Sequence, residues 1–492
     1  MLMIANPHEA AALRQARDDD DAARIARYEI DAAAAELAVL ERGLPLGGIA
    51  DRRHRPHVEH LLAGRAGRIG LDMLQFLLQA AAKVTRSLRR RPTGQSRSAG
   101  HVRQGAAGPL LAEGGFDPSI LTSRPRILID VTPTARNPMA CGGIPRLVRE
   151  MARAAVQTGV ALPVCMKDGQ LVSYFQHPLL AQDISIVEGD IYVIPDVHWY
   201  FRDEYRASVQ MVKRGGGDVA LVVYDLFPIF FPSFFADEVA GPFRESLLTI
   251  LKECRYCMSI SRHTDESVRN YLERMDFPRK TELIFDWFPL GAAEQGTVHQ
   301  AVRPEVAAVF ATGKTFLSVG TLEPRKGYAV ALDACDLAWG RGQAFSYVIV
   351  GSNGWRSRAL QDRIHSHPEY GKRLFWIQDA NDAELAMAYA SCHCLIQSSI
   401  AEGFGLPVIE ATRAGAPIIA SDLDVFREVA GDQLSYFPVA SAPALAECLQ
   451  AALADRPEPA NIVVPDWSHA IRSFAARLLG AGGIGCPAGR ES

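Results

Sequence analysis

The chain has 492 residues, more than one hydrophobic core usually supports, so two or three domains are expected. Its 22% charged and 48% hydrophobic residues are those of a globular protein, and a net charge of -4 speaks against a dedicated nucleic-acid binder, which carries a basic bias. The opening residues hold an acidic run, Asp18 to Asp21, with no apolar segment before it. No uninterrupted apolar run of about 18 residues occurs, so a cytoplasmic chain without a secretion signal or spanning helix is expected.

Residues 1–123 are rich in Ala and Arg with helical periodicity, and become polar and Gly-rich from Pro92 to Gly115. They read as a helical N-terminal extension and linker. Within it, residues 65–91 set Ile69, Met73, Phe76 and Leu77 on one helical face, joined by Ala80 and Val84, with arginines and Lys83 at the ends. Two readings fit this segment: a helix lying on an anionic membrane surface, or one docked on the enzyme or in a homo-oligomer.

From Arg126 short apolar runs alternate with amphipathic segments. Strands are expected at RILIDV, DIYVIP, DVALVVYD and YCMSIS, then at TFLSVG, SYVIVG, LFWIQ, HCLIQS and PIIAS. This rhythm predicts α/β architecture: two Rossmann-like, doubly wound domains facing a cleft, over 124–300 and 301–458, with a closing helix and tail over 459–492. Cys254 and Cys257 have CxxC spacing, and Cys392, His393 and Cys394 follow later. Both groups lie in strand-like runs whose neighbours face opposite sides, so buried reduced thiols are expected rather than zinc.

Ligands of such sheets bind beyond the carboxyl ends of the strands, and the motifs sit there. After TFLSVG come Thr321, Glu323, Arg325, Lys326 and Gly327, opening a helix; a basic pair beside a helix N-terminus suits a diphosphate. After SYVIVG, Gly351 and Gly354 permit a tight turn or close approach to a ligand. The most informative run is SIAEGFGLPVIE, Ser399 to Glu410. Glu402 lies in a loop where a carboxylate accepts from sugar hydroxyls. The N–H groups of Gly403, Phe404 and Gly405 face an anion at the entrance of a helix starting near Leu406. Glu410 reaches a second pair of hydroxyls. A nucleotide sugar matches that pattern.

EGFGLPVIE followed by AGAPIIASD, with GTLEPRKG and VGSNGW before them in the same order, resembles the retaining glycosyltransferases of family 4, which have the GT-B fold. The resemblance spans roughly Arg126 to Leu479. It implies that Lys326, with Arg325 nearby, contacts the donor diphosphate, that Glu402 holds the transferred sugar, and that Glu410 holds the ribose hydroxyls. The backbone at Ile377 and Gln378 would face the base, and a helix within Trp467 to Leu478 would cross back to the first domain. Thr321 stands where the family often has arginine, and Arg325 is the natural substitute. GTLEPRK with the later GW resembles bacterial polysaccharide mannosyltransferases, which implies GDP-mannose as donor.

In the first half, Gly142, Gly143, Ile144, Pro145 and Arg146 precede an amphipathic helix and resemble a stretch of the same group. Gly143 is a candidate for backbone contact with a phosphate or an acceptor hydroxyl. Asp225 follows a strand and can orient an acceptor hydroxyl or the donor sugar; Tyr224 replaces the histidine usual in the family. The aromatic run Phe227 to Phe235 suits either an acceptor groove or core packing, and the serines at 259 and 261 resemble a recurrent serine-bearing strand end without an assigned part. The resemblance implies transfer with retention, without a metal or other cofactor, from a nucleotide sugar to a saccharide or lipid-linked acceptor. An inactive GT-B protein acting as a nucleotide-sugar sensor or partner subunit is the alternative.

Overall fold

A computed structural model describes residues 125–480, apart from 138–142, 175–182, 279–281, 293–299 and 312. The expected extension over 1–123, its helix over 65–91 and Gly142 lie outside the described residues. Among the described residues no helix is long and apolar enough to cross a membrane.

The first half is a seven-stranded sheet of β1 (Ile127–Asp130), β2 (Leu162–Lys167), β3 (Gln170–Ser173), β4 (Ile191–Ile194), β5 (Asp218–Val223), β6 (Tyr256–Ser259) and β7 (Ile284–Trp287), in the order β3-β2-β1-β4-β5-β6-β7. Along this part of the chain the helices are α1 (Thr132–Arg136), α2 (Gly143–Thr158), α3 (Arg202–Arg214), α4 (Phe227–Phe230), α5 (Asp237–Leu251) and α6 (Arg262–Arg274). The second half is a parallel sheet of β8 (Thr315–Val319), β9 (Ser346–Val350), β10 (Leu374–Ile377), β11 (Cys394–Gln397), β12 (Ile418–Ser421) and β13 (Ser435–Phe437), in the order β10-β9-β8-β11-β12-β13. Around it are α7 (Pro304–Ala311), α8 (Tyr328–Gly340), α9 (Arg358–His365), α10 (Asp382–Ser391), α11 (Leu406–Arg413), α12 (Asp424–Ala430) and α13 (Ala442–Ala454). This is the two-sheet, doubly wound GT-B architecture.

Every strand expected from an apolar run is present, because both faces of a parallel sheet are covered and its strands are apolar throughout. The elements without that signal are at or near sheet edges. In β7 no residue is fully buried, and β3 runs antiparallel to β2. The β2–β3 hairpin turns on Asp168 and Gly169, whose φ values of 50° and 80° match the two-residue turn such hairpins favour.

The helix expected within Trp467 to Leu478 is α14 (Trp467–Leu478), and it packs on the first half, in one apolar cluster with Met151 and Ala155 of α2. Phe474 meets Phe288 edge-on with ring centroids 4.7 Å apart. Arg477 Nη1 reaches Asp286 Oδ1 at 2.5 Å, and Ala292 N–H donates to Pro465 O at 2.9 Å. Both sheets belong to one compact unit, residues 103–226 with 238–492; residues 227–237 belong to another. Within residues 227–237, the ring of Phe231 stacks on Phe234 at 5.5 Å.

Phe474 is fully buried, so Phe474→Ala should destabilise the protein by about 3–5 kcal/mol, read from urea unfolding. A loss below about 1 kcal/mol would mean that α14 does not anchor the two halves.

Candidate functional site

Strand order decides where the motifs meet. In the second sheet the order reverses between β8 and β11, which pair through Phe316 and Cys394, so the loops leaving these two strands lie side by side at the switch point. The first loop carries Arg325 and Lys326 in a 3-10 turn, and the second carries Glu402. They are stitched together at the backbone, where Ile400 N–H donates to Arg325 O at 2.7 Å. Gly327 allows the approach: its φ is 66°, and a Cβ there would lie 1.9 Å from Ser398 O.

The groups expected to hold different parts of a donor are in direct contact. Lys326 Nζ reaches Glu402 Oε1 at 2.5 Å, and Arg325 Nη1 reaches Glu402 Oε2 at 3.2 Å. Ser399 Oγ and Gln397 Nε2 also donate to Oε1, at 2.8 and 3.0 Å. Arg325 Nε is shared with Glu323 Oε2 at 2.9 Å. The Glu402 side chain is 6% exposed and that of Lys326 10%. Burial pushes the Glu402 carboxyl up, but Lys326, Arg325 and the hydrogen bonds more than offset it and hold its pKa at about 2. Burial and the neighbouring Arg325 bring the Lys326 pKa down, against the pull of Glu402. For Arg325 burial opposes the charge, and Glu402, Glu323 and then Asp225 outweigh it, keeping the guanidinium protonated. Asp225 thus lies close enough to act on this cluster.

Glu410, on α11, is held from both halves. Its Oε1 accepts from Arg146 Nη1 of α2 at 2.8 Å, and its Oε2 from Tyr389 Oη of α10 at 2.8 Å. Gly143 is the exposed first residue of α2, one turn before Arg146. Thr321 follows Gly320 at the end of β8, and Leu322 N–H donates to Ser352 O at 2.9 Å, which ties this loop to the one after β9. Gly351 donates its N–H to Ile377 O at 2.9 Å, so that carbonyl already has one partner inside the protein; Gln378 beside it is exposed. Tyr224 is partly buried and donates to Pro195 O at 2.7 Å, and the desolvation of its hydroxyl raises its pKa well above the usual phenol, so it offers no base.

The glycines of EGFG have a second reason beyond the expected anion contact. A Cβ at Gly403 would lie 2.3 Å from Tyr224 O, and one at Gly405, whose φ is 96°, 2.7 Å from Phe426 Cε1. Phe404 and Ile409 belong to the same apolar cluster as Ile260 of the first half, and Leu406 packs against it. Glycine is therefore needed for packing as well as for access. Sequence reasoning missed Ser399, Gln397 and Tyr389, which orient the two glutamates; small polar residues at strand ends give no pattern apart from the fold. Among the described residues no group of three or more His, Cys, Asp or Glu side chains is arranged to hold a metal ion. Cys254, Cys257, Cys392 and Cys394 are buried free thiols, and His393 meets Ala452 O. A cavity of about 570 Å³ between α3 and α5 is lined by Arg206, Lys213 and Lys252 among others, and by none of the residues above.

Residues 303–463 match the family described as "Glycosyl transferases group 1". The "Serotype-specific mannosyltransferase WbdA" of Escherichia coli is 28% identical over 331 residues, 63% of this chain and 40% of that protein. The "Phosphatidyl-myo-inositol mannosyltransferase" of Mycobacterium leprae is 35% identical over 153 residues, 30% of this chain and 40% of that protein. The chain thus spans about two fifths of the length of the curated relatives it is matched with here. Among solved structures, "Trehalose-6-phosphate synthase. OtsA" superposes with a TM-score of 0.52 at 14% identity, over 72% of this chain and 99% of that one, a likeness of fold. With the second sheet, the switch-point cluster and both glutamates inside the matched span, residues 303–463 are a glycosyl transferases group 1 domain in a chain of GT-B fold.

Proposed function

We propose that the chain is a retaining glycosyltransferase that moves a hexose, mannose from GDP-mannose, to a saccharide or lipid-linked acceptor in bacterial surface polysaccharide synthesis. The observation that carries the reading is the buried Arg325–Lys326–Glu402 cluster at the switch point of a group 1 domain. The mannosyl donor is supported by the names of the similar proteins. Acceptor and donor sugar would meet beside Asp225 and Glu402, and the nucleotide would lie along Thr321, Gly351, Ile377, Gln378 and Glu410. The loop of Gly403, Phe404, Gly405 and Leu406, together with Gly143, would approach the diphosphate.

The chemistry is a front-face substitution. The bond between the anomeric carbon and the diphosphate oxygen breaks, its electron pair leaving with the diphosphate. The acceptor hydroxyl oxygen bonds to the same face, and its proton passes to the departing phosphate oxygen. Arg325 and Lys326 meet the developing negative charge in a site shielded from water, the role a divalent cation takes elsewhere. Glu402 keeps these buried cations in register while the site is empty and accepts from sugar hydroxyls when it is filled. An inactive sugar-nucleotide-binding subunit would bind the donor without transfer, so radiolabelled mannose transfer to a lipid-linked saccharide separates the two.

Lys326→Ala should remove about 3–4 kcal/mol of transition-state stabilisation, a several-hundredfold fall in kcat. Initial rates of the wild type should be unchanged by EDTA. Loss of activity in EDTA with recovery in Mg²⁺ or Mn²⁺ overturns the metal-free reading.

Glu402→Gln leaves two buried cations facing a neutral amide. Transfer should fall by about 10² or more, while GDP binds as tightly as to the wild type or tighter, because its diphosphate supplies the missing charge. Calorimetric titration with GDP checks this, and weakened GDP binding contradicts it. The carboxyl is near 2 when folded against 4.5 when free, so its stabilising contribution is complete above pH 4.5 and is lost as pH falls toward 2. The stability gap between wild type and Glu402→Gln should close over that window, as read from urea midpoints against pH.

A further inference from the structure

Helix α6 starts just after β6, in the first half, and its first-turn N–H groups look for partners. Thr264 N–H finds Ser261 Oγ at 3.1 Å, an ordinary N-cap. The other two are satisfied by the second half: Arg262 N–H donates to Glu428 Oε1 at 2.8 Å and His263 N–H to Glu428 Oε2 at 2.9 Å, across from α12. A carboxylate at a helix N-terminus also faces the positive end of the helix dipole. The same cap reaches the donor loop. Ser261 Oγ donates to Gly403 O at 2.8 Å, and Thr264 Oγ1 lies 3.4 Å from that carbonyl. Gly403 in turn abuts Tyr224 O, and Phe404 is buried beside Ile260.

We propose that Ser261 and Glu428 are positioning residues: the N-terminus of α6 is the seat on which the donor loop after β11 is set, so the loop takes its working geometry only when the two halves are closed on each other. The peptide between Gly403 and Phe404 is planar, with its N–H antiparallel to its C=O. Holding the Gly403 carbonyl on Ser261 therefore turns the Phe404 N–H away from the first half. Glu402, one residue earlier, carries the carboxylate paired with Lys326. A shift of the loop moves both groups at once. Glu428 touches no proposed donor residue and acts only by holding α6 against α12.

This role rests on the transferase reading for its kinetic consequence, and one measurement is independent of it. Glu428 is exposed, so Glu428→Ala should fold normally. Ser261→Ala removes the N-cap together with the contact to Gly403. Each variant should lower kcat for mannose transfer from GDP-mannose by about tenfold and weaken binding of free GDP by no more than about threefold, since the loop supplies only part of the diphosphate contact whereas transfer needs both of its groups in place. The double variant should be no slower than about twofold below the worse single one, because both release one clamp. Amide hydrogen exchange without any donor should rise over residues 399–406 in both variants. Unchanged exchange there in Glu428→Ala, or equal loss of GDP binding and kcat, overturns the clamp. If the wild type transfers no sugar, the transferase reading falls, and the exchange result still decides whether α6 seats the loop.

Discussion

The ion pair between Lys326 and Glu402 is the constraint around which the second half is arranged. Two charged side chains, 10% and 6% exposed, are tolerated because each meets the other, because Ser399 and Gln397 donate to the same carboxylate oxygen, and because Arg325 takes the second. A buried pair of this kind stabilises little by itself, but removing one member leaves an uncompensated charge. The loops after β8 and β11 are therefore bound to one relative position. Gly327 against Ser398 O and the hydrogen bond from Ile400 N–H to Arg325 O hold the same relation through the backbone. Kept in this balance, the cations are preorganised for an anion, with only the partner carboxylate to be redirected.

The rest of the site depends on how the two halves meet. Arg146 on Glu410, Glu428 on α6, Ser261 on Gly403 O and α14 on α2 are all contacts between halves. Arg146 and Glu410 are partly exposed, so that bridge contributes little to stability but orients a carboxylate whose other oxygen is held by Tyr389. Phe404 and Ile409 carry the apolar cluster of the first half into the donor loop. The donor loop is thus a shared structure, and its glycines answer to packing against Tyr224 and Phe426 as much as to any ligand.

From residue order alone, the continuous apolar strands, the basic pair after β8 and the two glutamates of EGFGLPVIE were legible, and the family resemblance added the crossing helix at Trp467–Leu478. Each is a local signal: covered strands are apolar throughout, and motif spacing is a property of one loop and its helix. The elements β3 and β7, at or near sheet edges, were not, because partly exposed strands lack that hydrophobic signature. Nor could linear order reveal that Lys326 and Glu402 form an ion pair across 76 residues, that Tyr389 and Arg146 divide the Glu410 carboxylate, or that Ser261 both caps a helix and grips the donor loop. Those relations were decided by strand order and by the approach of the two halves. A side chain's chemistry is written in its residue type, but its partner is whichever group the sheet's switch point and the closing of the two halves bring within hydrogen-bonding distance.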